Sequence, residues 1–145
     1  MAVTDEQVAA LRAQLAGNAA EHKRLFAQLD RQGDAVAYSA LVNAAFFEAV
    51  DRRFGEQNTR ADVIEFVADV RSQFDEVADE VDPRAAERVI LKVLGVGSTD
   101  DIDARTSLTA KLYLLAAIIA DEPLDDAGLD DFMTEVRKSA NYLLS

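Results

Sequence analysis

The chain contains no cysteine and no tryptophan, a single histidine (His22) and only two prolines among its 145 residues. Without Cys, disulfides, thiol nucleophiles and Cys/His zinc sites are excluded, and one His is too few for the usual imidazole ligand sets. Scarce Pro leaves few forced breaks in the backbone, so regular structure can run long. Positive charge is short as well. Fifteen Lys and Arg stand against 27 Asp and Glu, a net charge of −12, which removes the basic footprint on which phosphate-backbone binding depends. No nucleic-acid surface is expected. The longest apolar run, Leu112 to Ala120, covers nine residues, well short of the ~20 that span a bilayer as a helix. No membrane span is expected either. Met1 to Glu6 has neither the basic start nor the apolar stretch of a secretory signal, so a cytoplasmic protein is the plain expectation.

What is present is a chain half apolar by residue, with helix-compatible composition throughout. A chain of this length buries ~68–70% of the surface that its unfolded form exposes, enough for one core without covalent or metal staples. No run alternates Val, Ile, Thr and aromatics between hairpin turns, so no strand is expected. The expected fold is all-α, a single-domain helical bundle of six to seven mostly antiparallel helices over 1–145.

Caps and stops mark the helices. Thr4 with Gln7 opens the first, whose seam runs Val8, Leu11, Leu15, Asn18, His22, Leu25, Leu29 in unbroken steps of three and four. Asn18 with Glu21 is a candidate second cap, but the unbroken phase across Gly17 favours one long helix over about 4–32. The second helix, Asp34 to Phe54, is apolar over much of its circumference and is expected to be central. It stops at Gly55. The third starts near Thr59 with a seam Val63, Val67, Val70, Phe74, Val77, Val81. Asp82 and Pro83 open a short fourth helix that ends at Gly95. The fifth covers Asp103 to Asp121, and Pro123 ends it. Asp125 caps the sixth, with Leu124 and Leu129 at staple spacing, although Gly128 in its first turn weakens that start by ~1 kcal/mol.

The acidity is unevenly spread. Residues 1–60 hold seven basic and eight acidic side chains, and residues 61–145 hold eight and nineteen. Asp121 to Glu135 carries seven carboxylates and no basic residue, including the paired run Asp125, Asp126, Asp130 and Asp131. That run is the candidate surface for a basic protein partner. Asp100, Asp101 and Asp103 start like a calcium loop, but the Gly at position six and the Glu at twelve are missing in every register.

Three functional readings follow. The first is a small protein-interaction or regulatory protein without catalysis and without a cofactor. It pairs as a homodimer through Val8, Leu11, Leu15, Asn18, His22, Leu25 and Leu29, with polar Asn18 and His22 fixing register. The second rests on Asp62, Glu65 and Asp69, spaced to share one face of the third helix, with Glu76, Asp79 and Glu80 one to two turns later. At the level of carboxylate spacing over about twenty residues, this resembles the paired acidic motifs of all-α nucleotide pyrophosphohydrolases. The resemblance implies a Mg²⁺-dependent enzyme with Asp62, Glu65, Asp69, Glu76 and Asp79 as metal ligands. Asp62 stands where that family usually has Glu, and both acidic sets fall on one helix. The third reading is a ligand-binding bundle with a cavity lined by Phe46, Phe47, Tyr113 and Leu114. No P-loop, dinucleotide fingerprint or nucleophile elbow is present.

Overall fold

The computed structural model describes residues 2–32, 35–55, 60–73 and 81–145, with the backbone alone for residues 30–32. It is all-α, as the sequence implies, with seven helices and no strand among the described residues. The helices are α1 (Asp5–Leu15), α2 (Ala19–Gln32), α3 (Ala35–Phe54), α4 (Arg60–Gln73), α5 (Pro83–Val93), α6 (Ala104–Asp121) and α7 (Asp126–Leu144). No helix of the described residues is long and apolar enough to cross a membrane.

Local chemistry sets most of the boundaries. At the start of α1 the Gln7 N–H donates to Thr4 Oγ1 at 3.2 Å and the Thr4 N–H donates to Gln7 Oε1 at 2.9 Å. This reciprocal pair is a capping box, and it gives the side-chain oxygen of Gln7, a residue only 1% exposed, a hydrogen-bond donor. Asp82 accepts from the N–H groups of Arg84 and Ala85, with Pro83 in the first turn of α5. Asp103 accepts from the Thr106 N–H at 2.8 Å, and Asp125 from the Gly128 N–H at 2.7 Å. Gly128 has a reason to be there. A Cβ on it would sit 3.0 Å from the capping Asp125 Oδ1, so glycine keeps the cap uncrowded.

The long first helix is corrected by the structure. After Leu15 the chain turns at Gly17, whose φ of +80° lies in the left-handed region that costs a residue with a Cβ ~1–2 kcal/mol. The Asn18 N–H donates to the Ala13 carbonyl at 2.9 Å and the Gly17 N–H to the Gln14 carbonyl at 3.1 Å, the double closure of a Schellman stop. Asn18 Oδ1 then accepts from the Glu21 N–H at 3.2 Å and opens α2. His22 Nδ1 lies 2.7 Å from the Ala10 carbonyl oxygen; in one straight helix these residues would stand ~18 Å apart along the axis. α1 and α2 are therefore a folded-back pair.

By internal contacts the chain forms two compact units. One comprises residues up to Ala45 together with Ile119–Ser145; the other is Phe46–Ile118. In the first, α7 is tied to the N-terminus. The Val3 N–H donates to Asn141 Oδ1 at 2.8 Å, and Arg137 donates to the Val3 carbonyl at 3.0 Å and to Asp5 at 2.6 Å. Leu11, Leu41, Val42, Phe132 and Val136 are buried here, each side chain contributing ~1.5–3 kcal/mol of transfer free energy. In the second unit, Phe46, Val50, Phe54, Val63, Val67, Ile90, Leu114 and Leu115 are buried. Phe54 and Phe66 meet edge to face at 5.4 Å, with the Arg53 guanidinium 5.3 and 5.6 Å from the two ring centroids.

The turn at Gly17 generates a test of opposite sign for the two geometries. Nothing lies within 4 Å of a Cβ built there, so Gly17→Ala meets only the conformational strain. Urea denaturation is expected to show a loss of ~1–2 kcal/mol. A continuous helix would instead gain ~1 kcal/mol from Ala, and a stabilised variant would overturn the hairpin.

Candidate functional site

α3 opens with thirteen residues, Ala35 to Phe47, that carry no charged side chain, within a chain 29% charged. The helical period splits the start of this run between two sides. Ala37, Tyr38, Leu41 and Val42 are buried, whereas Val36 remains 62% exposed. α3 is thus apolar on a covered side and on an open one. On the open side Ala35, Val36, Ser39, Ala40 and Asn43, together with Leu143 near the end of α7, line an open groove of about 440 Å³. Leu143 is 63% exposed and its neighbour Tyr142 is 81% exposed. The lining holds no titratable group, only the Ser39 hydroxyl and the Asn43 amide as polar functions. Such a surface binds by burial of apolar area and by shape rather than through acid–base chemistry.

A second constellation lies between α2 and α3. His22 and Phe26 have ring centroids 5.6 Å apart, and Phe26 meets Tyr38 edge-on at 5.5 Å. Opposite a carbonyl oxygen His22 Nδ1 must carry its proton, so this ring clasps α2 to α1. Tyr38 is nine-tenths buried, and its hydroxyl has no hydrogen-bond partner among the described residues. Burial pushes its pKa up to about 12.

The residues singled out from the sequence are distributed as follows. In the expected pairing seam, Leu11, Leu15 and Leu29 are buried within the chain itself, and Val8, His22 and Leu25 are half-buried. Asn18 caps α2 at the exposed turn. Three of the seven seam residues are thus packed inside the chain, and the turn at Gly17 folds the seam back on itself, so it does not run as one straight stripe. In the acidic run, Asp125 caps α7, and Asp126 and Asp130 lie 3.8 and 2.7 Å from Arg12 of α1. Asp131 stays exposed. The local absence of basic residues is therefore offset by a cation more than a hundred positions away.

Asp62, Glu65 and Asp69 all lie exposed on α4, and no group of three acidic or His residues that could hold a metal ion occurs among the described residues. Glu76 and Asp79, like Phe74 and Val77, lie outside the described residues. Of the four cavity candidates, Phe46 and Leu114 are buried and Tyr113 half-buried, but Phe47 is 55% exposed and lines no interior. The Asp-rich loop before α6 has a structural use. Arg88 donates to the Asp101 carboxylate and, at 2.6 Å, to the Ser98 carbonyl. The Arg88 contact holds the Asp101 carboxyl below its usual range, and the Thr106 N–H does the same for Asp103. The groove residues Val36, Ser39, Asn43 and Leu143 escaped sequence reasoning. The signal that marks Val36, Ser39 and Asn43 is the uncharged run beginning at Ala35, whereas Leu143 lies outside it in α7.

The unpartnered hydroxyl of Tyr38 has a thermodynamic consequence. In the unfolded chain it ionises near 10, and in the fold it holds its proton to about 12, so stability falls as pH rises through that window. Tyr38→Phe is expected to gain ~1 kcal/mol at neutral pH by removing an unsatisfied polar atom, and to lose less stability than the parent between pH 8 and 11. Paired urea titrations at the two pH values check this, and an equal or steeper alkaline loss in the variant would contradict the assignment.

No protein-family model, no curated protein and no solved structure matches this chain.

Proposed function

We propose that this chain works by protein association rather than catalysis, and that its binding surface is the groove between the first half of α3 and the end of α7. One observation carries the reading: Val36 and Leu143, both more than three-fifths exposed, flank a groove whose lining is apolar or neutral. Large apolar side chains that cluster at the surface mark interaction sites more often than scattered ones do. Polar groups that could orient a reacting small molecule are limited there to one hydroxyl and one amide. Of the seam of α1 and α2, the other candidate interface, Leu11, Leu15 and Leu29 are buried within the first unit.

Site-specific photocrosslinking in the cells that make the protein tests the assignment. A photoreactive phenylalanine analogue replaces Val36 in one variant and the exposed Glu65 of α4 in a control. Irradiation is expected to give a protein adduct, identified by mass spectrometry, from position 36 but not from position 65. Leu143→Asp is expected to abolish that adduct. Equal yields at the two positions, or no adduct at position 36, would overturn the reading.

A further inference from the structure

Polar contacts set α7 antiparallel to the N-terminal segment. Arg12 meets Asp130 at 2.7 Å, Asp5 meets Arg137 at 2.6 Å, and Val3 meets Asn141 at 2.8 Å. The α7 partners follow one another in steps of seven and four and so share one face of the helix. Val3 is held at both of its backbone groups. It is only 2% exposed although it precedes α1, its N–H donates to Asn141 Oδ1, and its carbonyl accepts from Arg137 at 3.0 Å. Thr4 is extended and is fixed to α1 by the capping box. Residues 3–5 thus form a short strap, anchored to α1 at one end and laid against the end of α7 at the other. Apolar burial along α7 fades where the strap lies. Ala140 is fully buried, whereas Tyr142 and Leu143 are exposed. A terminal turn with so little packing frays unless something holds it, and Asn141 supplies it with a tertiary hydrogen bond. Leu143, in that turn, is the α7 side of the groove.

We infer that the segment Val3–Asp5 is a conformational strap that controls the groove. Clasped on Arg137 and Asn141, it keeps the last turn of α7 wound and Leu143 in place; unclasped, it lets that turn unwind and takes the groove apart. The inference takes the groove, and no occupant of it, from the association reading. One buried Val and a few polar bonds, with the Asp5 side chain 86% exposed, put the opening of the strap at the low end of local stabilities, far below global unfolding. The α3 side of the groove is held independently, through buried Ala37 and Leu41. Linkage makes the coupling reciprocal. Whatever binds Leu143 in its wound position also holds the strap down, and whatever withdraws Val3 weakens binding at the groove by the same factor.

The chain has no cysteine, so two introduced ones are unique spin-label sites. Val36→Cys and Leu143→Cys carry nitroxides on the two sides of the groove, and double electron–electron resonance on the full chain reads the distance between them. A narrow distribution is expected in this labelled parent. Asn141→Ala, which removes the acceptor of the Val3 N–H, is expected to add a broad, longer component, the loss of one hydrogen bond shifting the local equilibrium ~3–10-fold toward the open form. Ala favours the helix more than Asn does, so unwinding in this variant reports the lost tether and not propensity. Val3→Gly, which empties the buried position, is expected to enlarge the component further. Arg12→Ala breaks the contact with Asp130, about three turns earlier on α7, and should leave the distribution narrow. Circular dichroism melts establish that each variant folds, and if Val3→Gly does not, Asn141→Ala decides alone. A distribution left narrow by Asn141→Ala overturns the inference, as does one already broad in the parent or broadened equally by Arg12→Ala. The distance is measured on the isolated protein, so its failure leaves the association reading in place. Absence of the adduct at position 36 rejects that reading and leaves the strap.

Discussion

The left-handed turn at Gly17 is the constraint on which the first unit depends. A single residue at φ +80° ends α1, and the Schellman bonds to Ala13 and Gln14 satisfy carbonyls that would otherwise be left open at the helix terminus. Because the chain reverses there, His22 reaches the Ala10 carbonyl and pins α2 to α1. Phe26, one turn further on, then reaches Tyr38 of α3. Each contact follows from the one before it. The hairpin buries Leu11, Leu15 and Leu29 of the apolar seam, while Val36 of α3 and Leu143 of α7 stand exposed.

Much of this fold was legible in the sequence because much of it is local. Thr4 with Gln7, Asp82 with Pro83, and Asp125 with its N–H donor three positions later complete their hydrogen bonds within one helical turn. The hairpin was not legible, for a definite reason. Spacing in threes and fours records which residues share a face, and that relation can survive when a helix is cut and folded back. Leu11, Leu15 and Leu29 point into a common core in either geometry. Phase continuity therefore does not distinguish a rod from a hairpin, and the glycine and the Asn18 cap carried the deciding information. The Arg12–Asp130 pair was beyond reach, being a contact between positions 118 apart. At the groove, apolar character all round α3 implied a central helix. The first turns are covered on the side of Ala37 and Leu41 alone, so Val36 is left outside.

The carboxylates also divide into kinds that composition merges. Asp82, Asp103 and Asp125 sit at helix N-termini, where their oxygens accept from otherwise unpaired N–H groups and their charge opposes the positive end of the helix dipole. Asp5, Asp101 and Asp130 meet arginines from other segments and fasten a terminus, a loop and a helix. Glu65 and Asp69 lie exposed on α4 and add to the charge that solvates the molecule. A net charge of −12 is thus in part a set of caps and tethers. Two of the acids most suggestive of a metal site by spacing, Glu65 and Asp69, belong to the solvated class.

That division bears on where a second copy can approach. Electrostatic repulsion between two such chains extends about a Debye length, ~8–10 Å in moderate salt, and acts on every orientation of encounter. Apolar burial acts only at contact, at ~25 cal/mol for each Å² removed from water. Most of the surface offers both repulsion and carboxylates that would have to be desolvated or paired. The groove of α3 and α7 offers the repulsion of the distant charges but no carboxylate in its lining, so burial competes there on better terms than at a face that carries carboxylates. The acidic surface then works as a filter on geometry as well as an aid to solubility. It penalises contacts that would bring carboxylate-bearing faces of two copies together, and that penalty falls as salt screens the field.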